Sequence, residues 1–226
     1  MPIWVVIPAF NEADNVAAVL DEIPPQICGR QTRALVVVDG ATDRTESIVK
    51  DLQQAAVSYA INRGGGSALR AGYDLALENG AEVVVTLDAD GQHLPDEIPA
   101  LVQPILDDRA DLVIGSRVLG RYESDSRVRA SGVVFFNWLC TILTMRRITD
   151  CSNGFRAIRA DGLRRLHLRQ VQFHASEMLL EALKKGLRVI EVPVTVQRRR
   201  SGASKKGPTL RYALGFTRVI LGTWLR

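Results

Sequence analysis

Two acidic residues, Asp88 and Asp90, follow directly after the apolar run VVVTL, where a buried strand would end. Alternate residues of an extended chain share a face, so both carboxylates should point to the same side. Two like charges this close require a cation between them, and oxygen ligands that leave room for substrate phosphates suit Mg²⁺ or Mn²⁺. Gln92 offers a third oxygen. The spacing predicts a divalent metal site at Asp88, Asp90 and Gln92, and for His93 we favour a solvated loop position over metal ligation.

Three further apolar runs end in segments rich in polar residues and glycine, at 8–12 (PAFNE), 39–43 (DGATD) and 62–67 (NRGGGS). Loops at the carboxyl ends of parallel strands form ligand sites in open α/β sheets. For each loop alone, turn formation is the favoured explanation, but four such loops at one rim favour a site. The glycines of the third loop could cradle a phosphate at the start of a helix, and a flexible turn is the alternative.

Basic residues are concentrated in two segments of the second half of the chain, each next to an apolar stretch. The apolar stretches are 133–145 (VVFFNWLCTILTM) and 209–226. Basic loops beside amphipathic helices suit an anionic membrane surface or a lipid with a phosphate head group. The basic residues concerned are Arg117, Arg121, Arg127, Arg129, Arg198, Arg199, Arg200, Lys205 and Lys206.

The elements that would position these residues alternate along the first half of the chain. Strands are predicted over 3–7, 34–38, 57–61, 82–87 and 111–115, and helices over 13–23, 45–54, 67–78 and 95–107. This alternation is typical of a parallel sheet covered by helices on both faces, so the predicted fold class is α/β. For the second half we predict a mobile loop over 117–129, helices over 133–145, 172–185 and 209–226, a loop over 150–156, and a strand over 187–196 in which Pro193 indicates a sheet edge.

The composition limits the class of protein. The chain has 226 residues, of which 46% are hydrophobic and 24% charged, so it can bury a core and is not disordered. A net charge of +4 is too small to indicate nucleic-acid binding. The three cysteines suit neither a zinc site nor a disulfide framework and indicate a reducing compartment. No apolar stretch reaches about 18 residues and no basic leader is present, so we predict neither a transmembrane helix nor a signal peptide.

Seven segments together carry a family likeness over nearly the whole chain. In chain order they are VVIPAFNEADNV, VVVDGATDRT, NRGGGSALRAGYDLAL, VVVTLDADGQHLPDEIP, ADLVIGSR, FNWLCTILTMRRITDCSNGFRA and SEMLLEALKKGLRVIEVPVTVQRRRSGASKKGPTLRY. With these segments the chain resembles the inverting glycosyltransferases of family 2, which have the GT-A fold, and especially the polyprenyl-phosphate (dolichol-phosphate type) mannosyl- and glucosyltransferases. The resemblance implies a single domain over 1–226, with a nucleotide-sugar-binding half (1–116) and an acceptor-binding half with interfacial helices (117–226).

The resemblance also implies roles for individual residues on the donor side. The residues expected to bind the nucleotide sugar are Pro8, Ala9, Glu12, Asp39, Gly66, Asp88 and Ala89. Asp88 and Asp90 match the metal-binding DxD motif, and Gln92 matches the further metal ligand of the dolichol-phosphate type. Asp90 is also expected to be catalytic through this metal, Mg²⁺ or Mn²⁺.

On the acceptor side, the resemblance implies contacts from Arg117, Arg129 and Ser131 to the acceptor phosphate. A mobile basic loop would close on the donor diphosphate through Arg200, Ser204 and Lys205. Glu177 occupies a position where related enzymes keep an acid near the acceptor. The residues expected to be catalytic are Asp90, Arg117, Glu177, Arg200 and Lys205.

Three positions depart from the usual pattern of the family. VVVDGATD contains one acid fewer than the usual VVDDGSTD, Gly65 replaces the lysine of NxGKG, and Asn153 replaces the serine of SGF. The first two departures bear on which donor is bound and how tightly.

The expected activity is the metal-dependent transfer of a hexose from GDP-mannose or UDP-glucose to a polyprenyl or dolichyl phosphate. A lipid phosphate is already an anion and needs no strong general base, whereas a hydroxyl acceptor would need one, for which Glu177 is the only good candidate. The alternatives are transfer to such a hydroxyl and a non-catalytic nucleotide-binding module on the same fold. The expected location is cytoplasmic, peripheral on the inner face of the membrane, without a nucleic-acid partner.

Overall fold

The computed structural model describes residues 1–123, 127–199 and 209–226. Its strands are β1 (Ile3–Ala9), β2 (Gln26–Ile27), β3 (Arg30–Asp39), β4 (Ala55–Tyr59), β5 (Val83–Thr86), β6 (Leu112–Tyr122), β7 (Arg156–Arg159) and β8 (Val189–Val196). Its helices are α1 (Val16–Asp21), α2 (Thr45–Asp51), α3 (Gly65–Glu78), α4 (Ile98–Leu106), α5 (Arg127–Thr144), α6 (Ala160–Arg164), α7 (His174–Lys184) and α8 (Thr209–Leu225). A 3₁₀ turn over Pro95–Glu97 precedes α4.

All the strands belong to one sheet, in the order β2-β3-β1-β5-β7-β6-β8, with β4 paired to β3. The pairs β1–β3, β1–β5 and β3–β4 are parallel, which confirms the predicted α/β class and places the loops after these strands at one edge. β7 is antiparallel to both β5 and β6. β8 pairs in parallel with β6 at the end of this order, as Pro193 indicated.

The predicted mobile loop over 117–129 is wrong for most of its length. β6 continues to Tyr122, and Arg121 and Tyr122 pair with β8 after a shift in register beyond Ser116. Gly120 lies so close to the backbone of Val194 that a Cβ there would overlap it. Residues 118–121 are exposed, so the outer part of this strand lacks the buried face by which a strand is recognised from sequence. Helix α5 then begins at Arg127.

Strand β7 was missed because its sequence, RAIR, begins and ends with a cation. Arg156 is nevertheless almost fully buried. Its guanidinium donates to the main-chain carbonyls of Asn153 (2.6 Å), Cys151 (2.8 Å) and Ala175. Buried polar groups are stable when they are hydrogen-bonded in this way. The arginine therefore ties the loop before β7 to the first turn of α7.

Two apolar layers cover the two faces of the sheet. Successive side chains of a strand point to opposite faces, so Val6 and Val37 pack against the layer that contains α3, α5, α7 and α8. Val5 and Val36 pack on the other face, in the layer that contains α1, α2 and α4. None of the helices described is long and apolar enough to cross a membrane.

Candidate active site

A cleft of about 970 Å³ lies at the carboxyl ends of β1, β3 and β5. Its other side is formed by residues 169–173, called the wall segment below, together with His174, Gly215 and Val219. The cleft brings together seven of the residues predicted from sequence, namely Pro8, Ala9, Glu12, Asp39, Asp88, Ala89 and Asp90. Gly66, also predicted, borders a small neighbouring cavity of about 10 Å³ instead.

Asp88 and Asp90 form a carboxylate pair on the cleft wall. The side chain of Asp88 is 41% exposed and that of Asp90 is 16% exposed. Burial, together with the charge of Asp88, raises the pKa of Asp90. The backbone N–H of Gln92 donates to Asp90 Oδ1 at 3.1 Å, while the side-chain Nε2 of Gln92 donates to the carbonyl of Gln197 at 2.9 Å.

This pair suits a divalent cation. Within the described ranges, no three His, Cys, Asp or Glu side chains converge on one point. Mg²⁺ is usually bound by one or two carboxylates together with waters and substrate phosphates, so two carboxylates are sufficient. Burial, and after it the charge of Asp88, raises the pKa of Asp90, and a bound cation would oppose both effects by stabilising the ionised carboxylate.

His93 is not a solvated loop histidine, and that prediction was wrong. The residue is 5% exposed, and its ring stacks on Phe155 with the centroids 5.0 Å apart. Asn153 donates through Nδ2 to the carbonyl of Gly115, so its Oδ1 accepts from His93 Nε2 at 2.8 Å. His93 Nδ1 lies 4.0 Å from Asp88 Oδ2. Asn153, which departs from the family pattern, therefore fixes the ring behind the carboxylate pair.

Asp39 shapes the turn that precedes α3. Its carboxylate is buried and accepts from the backbone N–H groups of Arg63 (2.8 Å) and Gly64 (2.7 Å). The guanidinium of Arg63 lies over the ring of Tyr59, 4.6 Å from its centroid. Asp39 was expected to bind the base or ribose of the donor, and in the structure both of its oxygens hold this turn.

The glycine-rich turn packs against the wall segment. Gly64 has a φ of 88°, a conformation that favours glycine. The Gly66 N–H donates to the carbonyl of Val171 at 2.9 Å, and a Cβ on Gly66 would overlap the carbonyl oxygen of Gln170. The N–H of Gly66 is therefore engaged within the protein, and close packing accounts for this glycine better than a phosphate cradle does.

Arg199 lies beside the acids of the donor side. Its guanidinium contacts the carboxylate of Glu12, and its Nη1 is 3.9 Å from Asp90 Oδ2. Asn15 Nδ2 also donates to Glu12, at 2.8 Å. Arg199 was part of the basic run in the sequence but was not chosen as a site residue. The chosen members of that run, Arg200, Ser204 and Lys205, lie outside the described residues.

Arg117 is not part of the lining of the cleft. Its Nε donates to Asp150 at 2.7 Å, and its guanidinium lies over the ring of Tyr122 at 5.3 Å. The carboxylate of Glu191 accepts from the backbone N–H groups of Thr149 and Asp150 and so holds this acid in place. The other predicted acceptor contacts, Arg129 and Ser131, lie in the first turns of α5, where the structure describes the path of the helix and not the side chains.

Glu177 is fully buried behind the wall segment. Its carboxylate accepts from the backbone N–H groups of Arg169 (2.9 Å) and Gln170 (2.8 Å) and forms an ion pair with Arg226 at 2.7 Å. Glu177 was predicted to be an acid near the acceptor. In the structure its carboxylate does not line the cleft and is bound by other groups of the protein.

Comparison with known proteins identifies the family. The family model described as glycosyl transferase family 2 matches residues 4–166. The chain belongs to this family. The polyprenol monophosphomannose synthase of Mycolicibacterium smegmatis is 31% identical to this glycosyltransferase, over 93% of the present chain and 83% of that protein. The UDP-N-acetylglucosamine–dolichyl-phosphate N-acetylglucosaminyltransferase of Methanococcus voltae is 30% identical, over 85% and 84%.

Solved structures give the same fold. The glucosyl-3-phosphoglycerate synthase from Mycobacterium tuberculosis, in complex with Mn²⁺, uridine diphosphate and phosphoglyceric acid, superposes with a TM-score of 0.74 at 21% identity. The match covers 99% of this chain and 77% of that one, so the fold of this glycosyltransferase is GT-A. Family and relatives together make the chain a nucleotide-sugar-dependent glycosyltransferase.

Several residues at this active site carried no signal in the sequence. Arg169 is an isolated arginine, and Arg226 contacts Glu177 from 49 positions away. Asp150 follows no apolar strand, which was the criterion that led to Asp88. Only the basic run pointed toward Arg199.

Proposed function

We propose that this glycosyltransferase moves a hexose from GDP-mannose or UDP-glucose to a polyprenyl or dolichyl phosphate, with inversion and with a divalent metal. The proposal rests mainly on the mixed lining of the cleft. This lining contains the carboxylates of Asp88 and Asp90 together with the apolar side chains of Phe173 and Val219. A lipid phosphate has the matching pair of properties, a charged head and an apolar chain.

The lining at the edge of the sheet suits a nucleoside diphosphate sugar. Pro8 and Ala9 end β1 and Glu12 follows it, at the same edge of the sheet as the carboxylate pair. Mg²⁺ or Mn²⁺ held by Asp88 and Asp90 would neutralise the charge that develops on the departing diphosphate. Arg199 is near enough to Asp90 to add a donor group where that charge grows.

The surroundings of Glu177 favour an anionic acceptor over a hydroxyl. A hydroxyl acceptor needs a general base within hydrogen-bond reach. Glu177, the candidate for that base, is buried and bound to two backbone N–H groups and to Arg226. A phosphate oxygen is already charged near neutral pH and attacks without such a base. The names of the relatives, which include polyprenol and dolichyl-phosphate transferases, support the same acceptor.

A peripheral position on the inner face of the membrane is part of the proposal. Helix α5 exposes four large apolar side chains, Val134, Phe135, Trp138 and Ile142, and Met145 directly after it is exposed as well. Arg146 and Arg147 follow them and are exposed as well. Apolar and cationic groups side by side suit the surface of an anionic membrane, where a polyprenyl phosphate would be reached.

The test is a donor panel. GDP- and UDP-sugars are offered with a polyprenyl phosphate and Mn²⁺, and the lipid product is analysed by mass spectrometry. We expect one sugar to be transferred in preference to the others. Hydrolysis of a donor without any glycosylated lipid, but with product on a hydroxyl acceptor, would contradict the lipid-phosphate assignment.

The metal part of the proposal is tested by Asp90→Ala. We expect the loss of nearly all transfer, because the diphosphate is then under-neutralised, and an unchanged unfolding midpoint, because Asp90 lies on the rim. Binding of Mn²⁺ followed by electron paramagnetic resonance should weaken in parallel. Asp51→Asn removes an exposed carboxylate from α2 and is the matched control. Full turnover by the Asp90→Ala protein would exclude the assignment.

A further inference from the structure

Arg169 is a cation on the wall of the cleft, and the function proposed above gives it no role. Its side chain is exposed, and it lines the same cleft as Asp88 and Asp90. Among the described residues its guanidinium makes no hydrogen bond or ion pair. We infer that Arg169 binds the phosphate of the acceptor and orients it toward the donor sugar. The inference rests on the proposed function and specifies the group that recognises the acceptor.

Three other cations among the described residues already have partners. Arg117 is paired with Asp150 at 2.7 Å and does not line the cleft. Arg199 contacts Glu12 on the donor side. Arg63 is stacked on the ring of Tyr59, beside the glycine-rich turn. An incoming anion therefore meets the guanidinium of Arg169 without first breaking an ion pair among the described residues, and a guanidinium suits phosphate through its bidentate geometry.

The surroundings of Arg169 suit a phosphate that carries an apolar chain. Val171 and Phe173 belong to the same wall segment, and Gly215 and Val219 of α8 line the cleft with them. Apolar groups on both elements can cover the first prenyl units, while the guanidinium meets the charged end. Water bound to the phosphate would then be replaced by protein donors.

The backbone at Arg169 is held from behind by Glu177. Both carboxylate oxygens of Glu177 accept from the Arg169 N–H, at 2.9 and 3.0 Å, and one of them also accepts from Gln170 at 2.8 Å. Arg226 Nη2 lies 2.7 Å from Glu177 Oε1 and neutralises the charge of this buried acid. Glu177 and Arg226 are thus positioning residues that act through Arg169.

The front of the wall segment is fixed as well. Arg70 Nη1 donates to the carbonyl of Gln170 at 3.0 Å, and the Val171 carbonyl accepts from Gly66. Because its backbone is held from both sides, the wall segment is already ordered before an anion binds, which is an advantage of a preorganised site.

The first experiment compares Arg169→Gln with Arg164→Gln. Arg164 is an exposed arginine of α6 that pairs with Asp161 at 2.7 Å and does not line the cleft, so it is the matched control. Farnesyl phosphate serves as a short, water-soluble acceptor and as the ligand in calorimetry. We expect Arg169→Gln to raise the acceptor KM and the dissociation constant of farnesyl phosphate about tenfold, the effect of one charge-assisted hydrogen bond. The donor KM and the unfolding midpoint should not change, and Arg164→Gln should behave as wild type.

The second experiment tests the positioning residues. Arg226→Gln and Glu177→Gln should raise the acceptor KM severalfold while the donor KM stays within about twofold. Glu177→Gln combined with Arg169→Gln should weaken acceptor binding no more than Arg169→Gln alone, because Glu177 acts through that side chain. Loss of donor and acceptor affinity to the same extent would indicate a general structural role and overturn the positioning.

These outcomes separate the inference from the proposed function. If wild-type protein binds farnesyl phosphate through Arg169 but forms no glycosylated lipid, the proposed function fails and the binding site stands. If transfer occurs and Arg169→Gln leaves the acceptor KM unchanged, the inference fails and the proposed function stands. Wild-type protein that does not bind farnesyl phosphate at all would overturn the inference.

Discussion

His174, the first residue of α7, lies where its charged form is disfavoured. Burial lowers its pKa to about 4, and the charges of Arg156 and Arg70 act in the same direction, while Asp88 and Glu177 oppose the shift. The ring also lines the cleft and the small cavity beside it. Folding therefore keeps this histidine neutral at pH values at which the unfolded chain would protonate it.

The pH dependence of stability follows from that difference. The contribution of His174 is fully present above about pH 6.5 and is lost as the pH falls toward about 4, because the unfolded state then binds the extra proton. The loss should be at most about 3 kcal/mol, and less where cleft water reaches the ring. Urea unfolding at about pH 7.5 and about pH 4.5 measures it. His174→Gln should flatten the dependence, whereas His167→Gln, which removes an exposed ring, should not. The same slope in both variants would contradict the assignment.

Individual residues were predictable where a strand determines their place. Asp88 and Asp90 were found because they directly follow an apolar strand, and parallel strands end at one edge. The partners of a side chain were not predictable in this way. Glu177 is held by Arg226 from a distant part of the chain, and His93 is buried because Asn153 and Phe155 return beside it.

At the scale of elements, helix α3 begins with two glycines, Gly65 and Gly66, where it packs against the wall segment. Only Gly66 is in close contact with that segment, so the two positions can be compared. Gly66→Ala should lower the free energy of unfolding by about 1–3 kcal/mol, because the new Cβ overlaps the carbonyl of Gln170 and the backbone has to move. The same displacement should lower kcat/KM, since Arg169 and Gln170 move with the wall segment.

Gly65→Ala is the control for that change. A Cβ at Gly65 meets only His174 Cε1, at 3.9 Å, which is an ordinary contact. Alanine is also the better helix former, so Gly65→Ala should leave stability unchanged or raise it by up to about 1 kcal/mol. The free energy of unfolding, measured with denaturant, and kcat/KM are compared between the two variants. Equal effects at the two positions would show that close packing does not explain why residue 66 is a glycine.

Elements with strong apolar patterns were predicted from sequence, and those without were missed. The strand predicted over 3–7 is found as β1, and the helix predicted over 67–78 is found as α3. β7 and the end of β6 escaped prediction for different reasons. Arg156 is buried by hydrogen bonds to carbonyls, and the outer part of β6 is exposed because only β8 pairs with it there.

At the scale of the whole molecule, one sheet receives strands from both halves of the chain. β7 inserts between β5 and β6 and reaches the centre of the sheet from the second half. The wall segment and α8 consequently face the loops of the first half across a single cleft. Residues from both halves of the chain therefore line one cleft.

Helix α5 exposes a group of large apolar side chains. Phe135 and Trp138 are 51% and 59% exposed, and Met145 at its end is 89% exposed. The opposite face of the helix is buried through Phe136 and Cys140 against the core. A helix anchored on one face and apolar on the other can lie in the interface of a bilayer.

Removing that surface should release the protein from membranes. Each buried aromatic side chain contributes about 1.5–3 kcal/mol, so Phe135→Ser combined with Trp138→Ser should lower binding to vesicles containing phosphatidylglycerol by more than about tenfold. Raising the salt concentration should weaken wild-type binding too, because exposed Arg146 and Arg147 each add about 1 kcal/mol near anionic lipid.

Leu52→Ser is the control, because it removes an exposed apolar side chain after α2 and should have no effect on vesicle binding. Co-sedimentation with vesicles measures all three proteins, and transfer to soluble farnesyl phosphate should be retained by the double variant, since neither side chain lines the cleft. Vesicle binding that is equally strong in the double variant would exclude α5 as the contact surface.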